Sequence, residues 1–207
     1  MIDLNNLAAI LIAFFIVTVS PGPANLAVAT VSMAKGRKSG MLLSLGLSIG
    51  LAFWGLIAAT GMGAILQTTA SALTFLKIAG GLYLLWLAYQ SARSAFKPSN
   101  VKSETLVNER WFWRGLFLNL SNPKAVVAWM AALSMGLGTG DGAMMVTAAT
   151  FLCVILGLLN YMGYTLLFSQ RGMMAGYNRL KRWIDGTVAA LFAVAGFGLL
   201  RSAFSRT

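Results

Sequence analysis

Val17-Thr18-Val19-Ser20-Pro21-Gly22-Pro23-Ala24-Asn25-Leu26 interrupts an apolar run that otherwise extends from about Leu7 to Ala34. Proline removes a backbone donor and clashes with the preceding helical turn. The residue before it is pushed towards extended backbone. Pro21-Gly22-Pro23 therefore ends one helical segment, and Pro23 is well placed to start another. A second apolar run, from about Trp111 to Gly136, is interrupted in the same way by Ser121-Asn122-Pro123-Lys124. Gly22 and Asn122 stand where the N-caps of the restarted helices belong. The two prolines lie 100 residues apart, and Gly36, Gly40 and Gly63 have counterparts at the same offset in Gly136, Gly140 and Gly163.

Outward from these breaks the chain is nearly all apolar. Of its 207 residues, 58% are hydrophobic and 10% charged, against about 25% charged in an ordinary soluble domain. Mean hydropathy is +0.76. Further runs cover about Gly40–Leu66, Ala72–Ala92, Ala143–Phe168 and Trp183–Phe204. A spanning helix needs roughly 20 apolar residues, so six spans use up nearly the whole length. The expected fold is an all-α membrane protein of six transmembrane helices, with spans one and four broken at their proline motifs. It is read as a single transmembrane domain over 1–207. The polar stretch from Arg93 to Arg110 joins two three-helix halves, 1–105 and 106–207. An odd number of spans per half inverts the second half relative to the first, a 3+3 inverted repeat.

Twelve of the 16 basic residues fall on one side of this arrangement. They are Lys35, Arg37 and Lys38 after span one; Arg93, Lys97, Lys102, Arg110 and Arg114 around the midpoint; and Arg171, Arg179, Lys181 and Arg182 between spans five and six. The positive-inside rule puts these segments in the cytoplasm and both termini outside it. With no basic residue before Lys35, the first run is read as a retained span and not a cleaved signal. The net charge of +11 is divided among short clusters between apolar runs, so it argues against a nucleic-acid partner.

There is no histidine, and Cys153 is the single cysteine. Histidine-dependent triads, His-based zinc sites and haem ligation are excluded, and no cofactor is expected. The five acids are Asp3, Glu104, Glu109, Asp141 and Asp185, none of them beside a nucleophile in a hydrolase pattern. A channel or an ion or metal exporter on the same scaffold is the competing reading. A cation site wants oxygen, thiolate or imidazole ligands, and Lys124 at the centre opposes it.

Candidate site residues cluster at the breaks: Ser20, Pro21, Gly22, Pro23 and Asn25 in the first span, and Asn119, Ser121, Asn122, Pro123 and Lys124 in the fourth. Both restarted helices begin near the bilayer midplane. Their N-termini carry unsatisfied N–H groups and partial positive charge, around Ala24 and Asn25 and around Lys124 and Ala125. Two such ends suit an anionic group such as a carboxylate. Lys124 either pairs with that carboxylate or gates the path, or else it snorkels to a polar cavity. The Ser and Asn side chains either line a cavity or bond helix to helix. Asn160 and Tyr164 form a weaker polar pair in span five, and Lys77 is read as snorkelling.

At these residues the chain resembles the lysine exporter (LysE/RhtB) family of bacterial amino-acid exporters. The resemblance rests on Ser20-Pro21-Gly22-Pro23 with Lys35-Gly36-Arg37-Lys38-Ser39-Gly40, on Leu116-Phe117-Leu118-Asn119-Leu120-Ser121-Asn122-Pro123-Lys124, and on Leu76 to Ala88. It covers almost the full length. It implies a secondary exporter of zwitterionic amino acids in the bacterial cytoplasmic membrane, driven by the proton gradient, with the lipid bilayer as surroundings. It leaves homo-oligomerisation open. Proton coupling would fall to Asp141 or Asp185 at a pathway mouth, or to Lys124. Two departures bear on the substrate: Ala24 stands directly after Pro-Gly-Pro where Asn is common, and Met135 to Gly140 replaces the usual ending of the fourth span.

Overall fold

A computed structural model describes residues 3–68, 70–96, 110–136, 143–170 and 172–204. Lys97, Lys102, Glu104, Glu109, Asp141 and Arg171 lie outside them. The described residues are all-helical, in seven elements: α1 (Leu4–Val19), α2 (Pro23–Thr68), α3 (Ala70–Ala95), α4 (Trp111–Leu120), α5 (Pro123–Gly136), α6 (Ala143–Phe168) and α7 (Met173–Phe204).

Three helices are long and apolar enough to cross a membrane: Pro23–Gly61 of α2, Ala143–Phe168, and Ala175–Phe204 of α7. Helix α2 has 46 residues, and a straight helix of that length would be about twice as long as the hydrocarbon core is thick. It is divided at Gly36, whose φ of 82° and ψ of 175° leave the helical region. Only glycine takes that angle without strain. The basic turn expected around Lys35–Lys38 is thus a single non-helical residue. On α7 the expectation needs correcting. The segment before Trp183 was read as a loop, yet Arg179, Lys181 and Arg182 are helical. The reason is visible four residues on, where Lys181 pairs with Asp185 at 2.6 Å along one face of the helix.

The helices are sorted as lipid sorts them. Polar side chains are inside: Ser20, Asn25, Ser44, Asn119 and Thr165 are all 3% exposed or less. Large apolar ones are outside, including Phe15, Phe53, Leu56, Phe151 and Phe197. A water-soluble monomer avoids so large an apolar surface. Lys77 is 5% exposed, enclosed between helices and not extended to a surface as expected. One core cluster gathers Ile10, Phe14, Leu47, Leu51, Trp129 and Leu133 from α1, α2 and α5. A second gathers Val17, Leu84, Ala128, Phe192 and Leu199 from α1, α3, α5 and α7.

Helices α2 and α4 touch backbone to backbone. A Cβ at Gly46 would strike the Phe112 carbonyl, and one at Gly115 the Leu43 carbonyl. Gly50 faces Asn119 and the Leu116 carbonyl less closely, at 2.9 and 3.0 Å from the place of a Cβ. Small residues permit such an approach. Replacement of Gly46 or Gly115 by leucine should therefore cost at least the ~1–3 kcal/mol of ordinary overpacking. Thermal unfolding of the detergent-solubilised protein should show each variant melting well below the parent, whereas Gly61→Leu, with open space around it, should melt with it.

Candidate functional site

The end of α1 builds the site. Its last carbonyls have no intrahelical backbone partner, and those of Val17 to Ser20 are met by side chains, most of them from other helices. Ser20 Oγ donates back to the Val17 carbonyl at 2.7 Å. The Thr18 carbonyl accepts from Asn25 Nδ2 at 2.7 Å and from Asn160 Nδ2 at 3.2 Å. The Val19 carbonyl accepts from the Tyr164 hydroxyl at 2.8 Å. The Ser20 carbonyl accepts from Asn25 Nδ2 at 3.0 Å and from Lys124 Nζ at 2.9 Å. Lys124 Nζ also donates to Ser20 Oγ. Asn160 Nδ2 reaches Asn25 Oδ1 as well, at 3.1 Å. Four helices, α1, α2, α5 and α6, thus meet at one chain break. The positive charge of Lys124 sits at the C-terminal, partly negative end of α1, where a helix dipole favours it.

The second break is closed by its own residues. Asn122 Oδ1 accepts the Lys124 backbone N–H at 3.1 Å, and the Asn122 carbonyl accepts that of Ala125 at 3.0 Å. Two of the N–H groups expected to await an anion are thus capped. Gly22 fits against the other break because it has no side chain. A Cβ there would lie 3.0 Å from Lys124 Nζ and 3.3 Å from its Cδ. Its backbone has no positive φ, so space and not conformation calls for glycine.

A cavity of about 430 Å³ opens from the breaks, within the size range of small-molecule sites. Pro21, Gly22, Pro23, Asn122, Pro123 and Lys124 form one end of it. Gln90, Ser91 and Ser94 from the last turns of α3, with Tyr177, Lys181 and Asp185 from the first turns of α7, form the other. A small pocket of about 20 Å³ lies against the same junction, and Gly22, Asn122 and Lys124 border both spaces. Its remaining wall includes Asn25, Leu51, Ala125 and Tyr161. Leu51 leads on to a bulky seal: its carbonyl accepts the Trp129 indole N–H at 2.9 Å, and Trp129 packs on Phe14 with ring centroids 4.5 Å apart.

Of the ten candidate residues, then, six line the cavity, and Asn25 lines the small pocket. Ser20 is buried beneath Lys124. Asn119 belongs to helix–helix bonding: its Nδ2 donates to the Leu47 carbonyl at 2.5 Å and to the Tyr161 hydroxyl at 3.2 Å. Ser121 is exposed and borders neither space. The polar pair Asn160 and Tyr164 bonds to the end of α1, and Asp185, expected at a pathway mouth, lines the cavity; Gln90, Tyr177 and Lys181 line it too and were not among the candidates, because only the approach of α3 to α7 brings them together. Among the described residues no cluster of His, Cys, Asp or Glu could hold a metal.

Comparison with known proteins bears on what this geometry serves. A family model described as LysE type translocator matches residues 15–203. The threonine efflux protein of Escherichia coli (strain K12) is 35% identical over 185 residues, 87% of this chain and 89% of that protein. The leucine efflux protein of Enterobacter sp. (strain 638) is 29% identical over 194 residues, 87% of each chain. The homoserine/homoserine lactone efflux protein of Salmonella typhimurium is 32% identical over 126 residues, 60% of this chain and 61% of that one. No solved structure matches the chain.

The carbonyl network makes a stability prediction. Tyr164→Phe leaves the Val19 carbonyl with only a long contact to Asn25 Nδ2 at 3.5 Å, at a cost of about 1 kcal/mol for the lost hydrogen bond. Thermal melting should fall measurably for Tyr164→Phe, while Ser121→Ala, on an exposed side chain, should leave it within error.

Proposed function

The chain belongs to the LysE type translocator family, a family of translocators and not of enzymes, and from that premise we propose that it exports small zwitterionic amino acids by alternating access. Its membrane helices and membrane-protein relatives make it a multi-pass membrane protein. The carrying observation is a cavity inside those helices whose inner end is a junction of two interrupted helices, with one lysine ammonium at that junction.

In this reading the spans are α1 with the first part of α2, the rest of α2, α3, α4 with α5, α6, and α7. They form two inverted groups of three, with both termini outside the cytoplasm. The mouth of the cavity lies among Ser94 and Lys181, beside the basic residues Arg93, Arg179 and Arg182. The positive-inside rule makes that the cytoplasmic end, where an exporter loads. The Trp129–Phe14 contact closes the opposite end. A substrate carboxylate takes the Lys124 ammonium from Ser20, and that exchange is what a helix-end carbonyl, a weaker partner than a carboxylate, permits. Release follows when the Trp129 seal opens and the cytoplasmic mouth closes, with the proton gradient supplying the drive. The relatives named for threonine and homoserine efflux make L-threonine the first substrate to test. An ion channel or metal exporter fits less well, because the charge at the inner end of the cavity is a cation.

Cells expressing the protein and loaded with threonine-containing dipeptides should release more threonine than vector controls, and a protonophore should abolish the excess. Lys124→Ala, inserted to the same level, should lose about tenfold or more of the efflux rate, as expected for a desolvated charge contact to substrate. Undiminished efflux from that variant would remove Lys124 from the pathway. Absence of amino-acid efflux from well-inserted parent protein would overturn the export reading.

A further inference from the structure

We propose that Asp185 is the ammonium-binding pole of the cavity, so that the substrate is held between two opposite charges, its carboxylate at Lys124 and its ammonium at Asp185. The inference rests on the export reading above and adds to it the group that recognises the second charge of the zwitterion.

The argument begins with charge. A zwitterion leaving water for an apolar interior must have both charges met, because an unpaired ion there is far costlier than a paired one. Three charged side chains line the cavity: Lys124, Lys181 and Asp185. Two are cations, so among the described lining residues the carboxylate of Asp185 is the single group of charge opposite to an ammonium. It is 2% exposed, lying within the protein and not on its lipid-facing surface. Lys124 lines the same cavity from the chain breaks, so the two poles face one space.

The pairing of Asp185 is compatible with exchange. Lys181 Nζ meets Asp185 Oδ2 at 2.6 Å, and it also donates to the Ser94 carbonyl at 2.7 Å and to Ser94 Oγ at 2.8 Å. With substrate absent, Lys181 keeps the carboxylate compensated. When an ammonium arrives, Lys181 retains two oxygen partners on α3 and shares or releases the third. Lys124 is arranged in the same way, parked on the carbonyl and hydroxyl of Ser20. Each pole thus has a serine standing by as the alternative partner for its lysine. The Tyr83 hydroxyl, on a residue that also lines the cavity, has no hydrogen-bond partner and offers a further polar contact.

The test is binding selectivity in purified full-length protein reconstituted in nanodiscs, with labelled L-threonine as the probe. Competitors are 2,3-dihydroxybutanoate, which lacks the ammonium, and 1-aminopropan-2-ol, which lacks the carboxylate. The parent protein should bind threonine about tenfold or more tightly than either analogue, since a site built around a charged group rejects analogues that leave it unpaired. In Asp185→Asn the advantage over 2,3-dihydroxybutanoate should collapse towards one, while the advantage over 1-aminopropan-2-ol persists. Lys124→Gln should do the reverse. A helix staple would behave differently: equal loss of affinity for all three compounds in Asp185→Asn, or an unchanged preference for the ammonium, would overturn the assignment. Lys181→Met guards against a variant that merely fails to fold. It breaks the same ion pair, and as a pole Asp185 should then keep or sharpen its preference for threonine over 2,3-dihydroxybutanoate; loss of that preference would equally overturn it. Failure of the parent to bind threonine or any other amino acid would mark the export reading, and this assignment with it, as wrong.

Discussion

A helix that ends inside a protein must find donors for its last carbonyls, and most of this structure follows from how α1 finds them. A buried carbonyl left without a donor costs free energy comparable to a lost hydrogen bond. The donors come from Asn25, Lys124, Asn160 and Tyr164, which brings α2, α5 and α6 to a single point. Elements separated by more than 140 residues in the chain are fixed relative to one another by one set of hydrogen bonds. The site is therefore not an addition to the fold. Two of the groups that satisfy the break, Asn25 and Lys124, also border the pocket beside it, and Lys124 borders the cavity as well.

This explains what was legible in the sequence and what was not. Proline acts on its own neighbourhood, so the positions at which the chain leaves and re-enters helix at Pro23 and Pro123 could be read from local rules. So could the apolar lipid-facing surface, which is a property of composition. The partners of the break could not be placed, because the contact between Tyr164 and Val19 depends on how α6 lies across α1. Lys124 was recognised as important, yet its actual partner, the end of another helix, is a backbone group that no sequence pattern displays. Asp185 was legible as an acid at a pathway mouth, but its pairing was not: the segment holding Lys181 was read as lying before the span, and only the helical face shared by Lys181 and Asp185 brings the two together.

The two sides of the junction differ in kind. On one side are serines, a glutamine, tyrosines and an ion pair around open space. On the other are close-packed aromatic and aliphatic side chains, with Phe14 and Trp129 in contact and Leu51 bonded to the indole. Polar, roomy surroundings stabilise a solute and its water, whereas a packed apolar layer excludes both. Gly22, Asn122 and Lys124, which border both the cavity and the small pocket, stand between the two environments.

The glycine contact between α2 and α4 has a mechanical corollary. Side chains can change rotamer and let helices slide, and such sliding is how many packed helices accommodate motion. Gly46, Gly50 and Gly115 remove the side chains from this seam, leaving carbonyls and amides face to face. Any slide that carried a residue with a side chain to the place of Gly46 or Gly115 would set its Cβ against the opposite backbone. The seam therefore resists sliding more than contacts made by side chains do, like two boards glued along an edge.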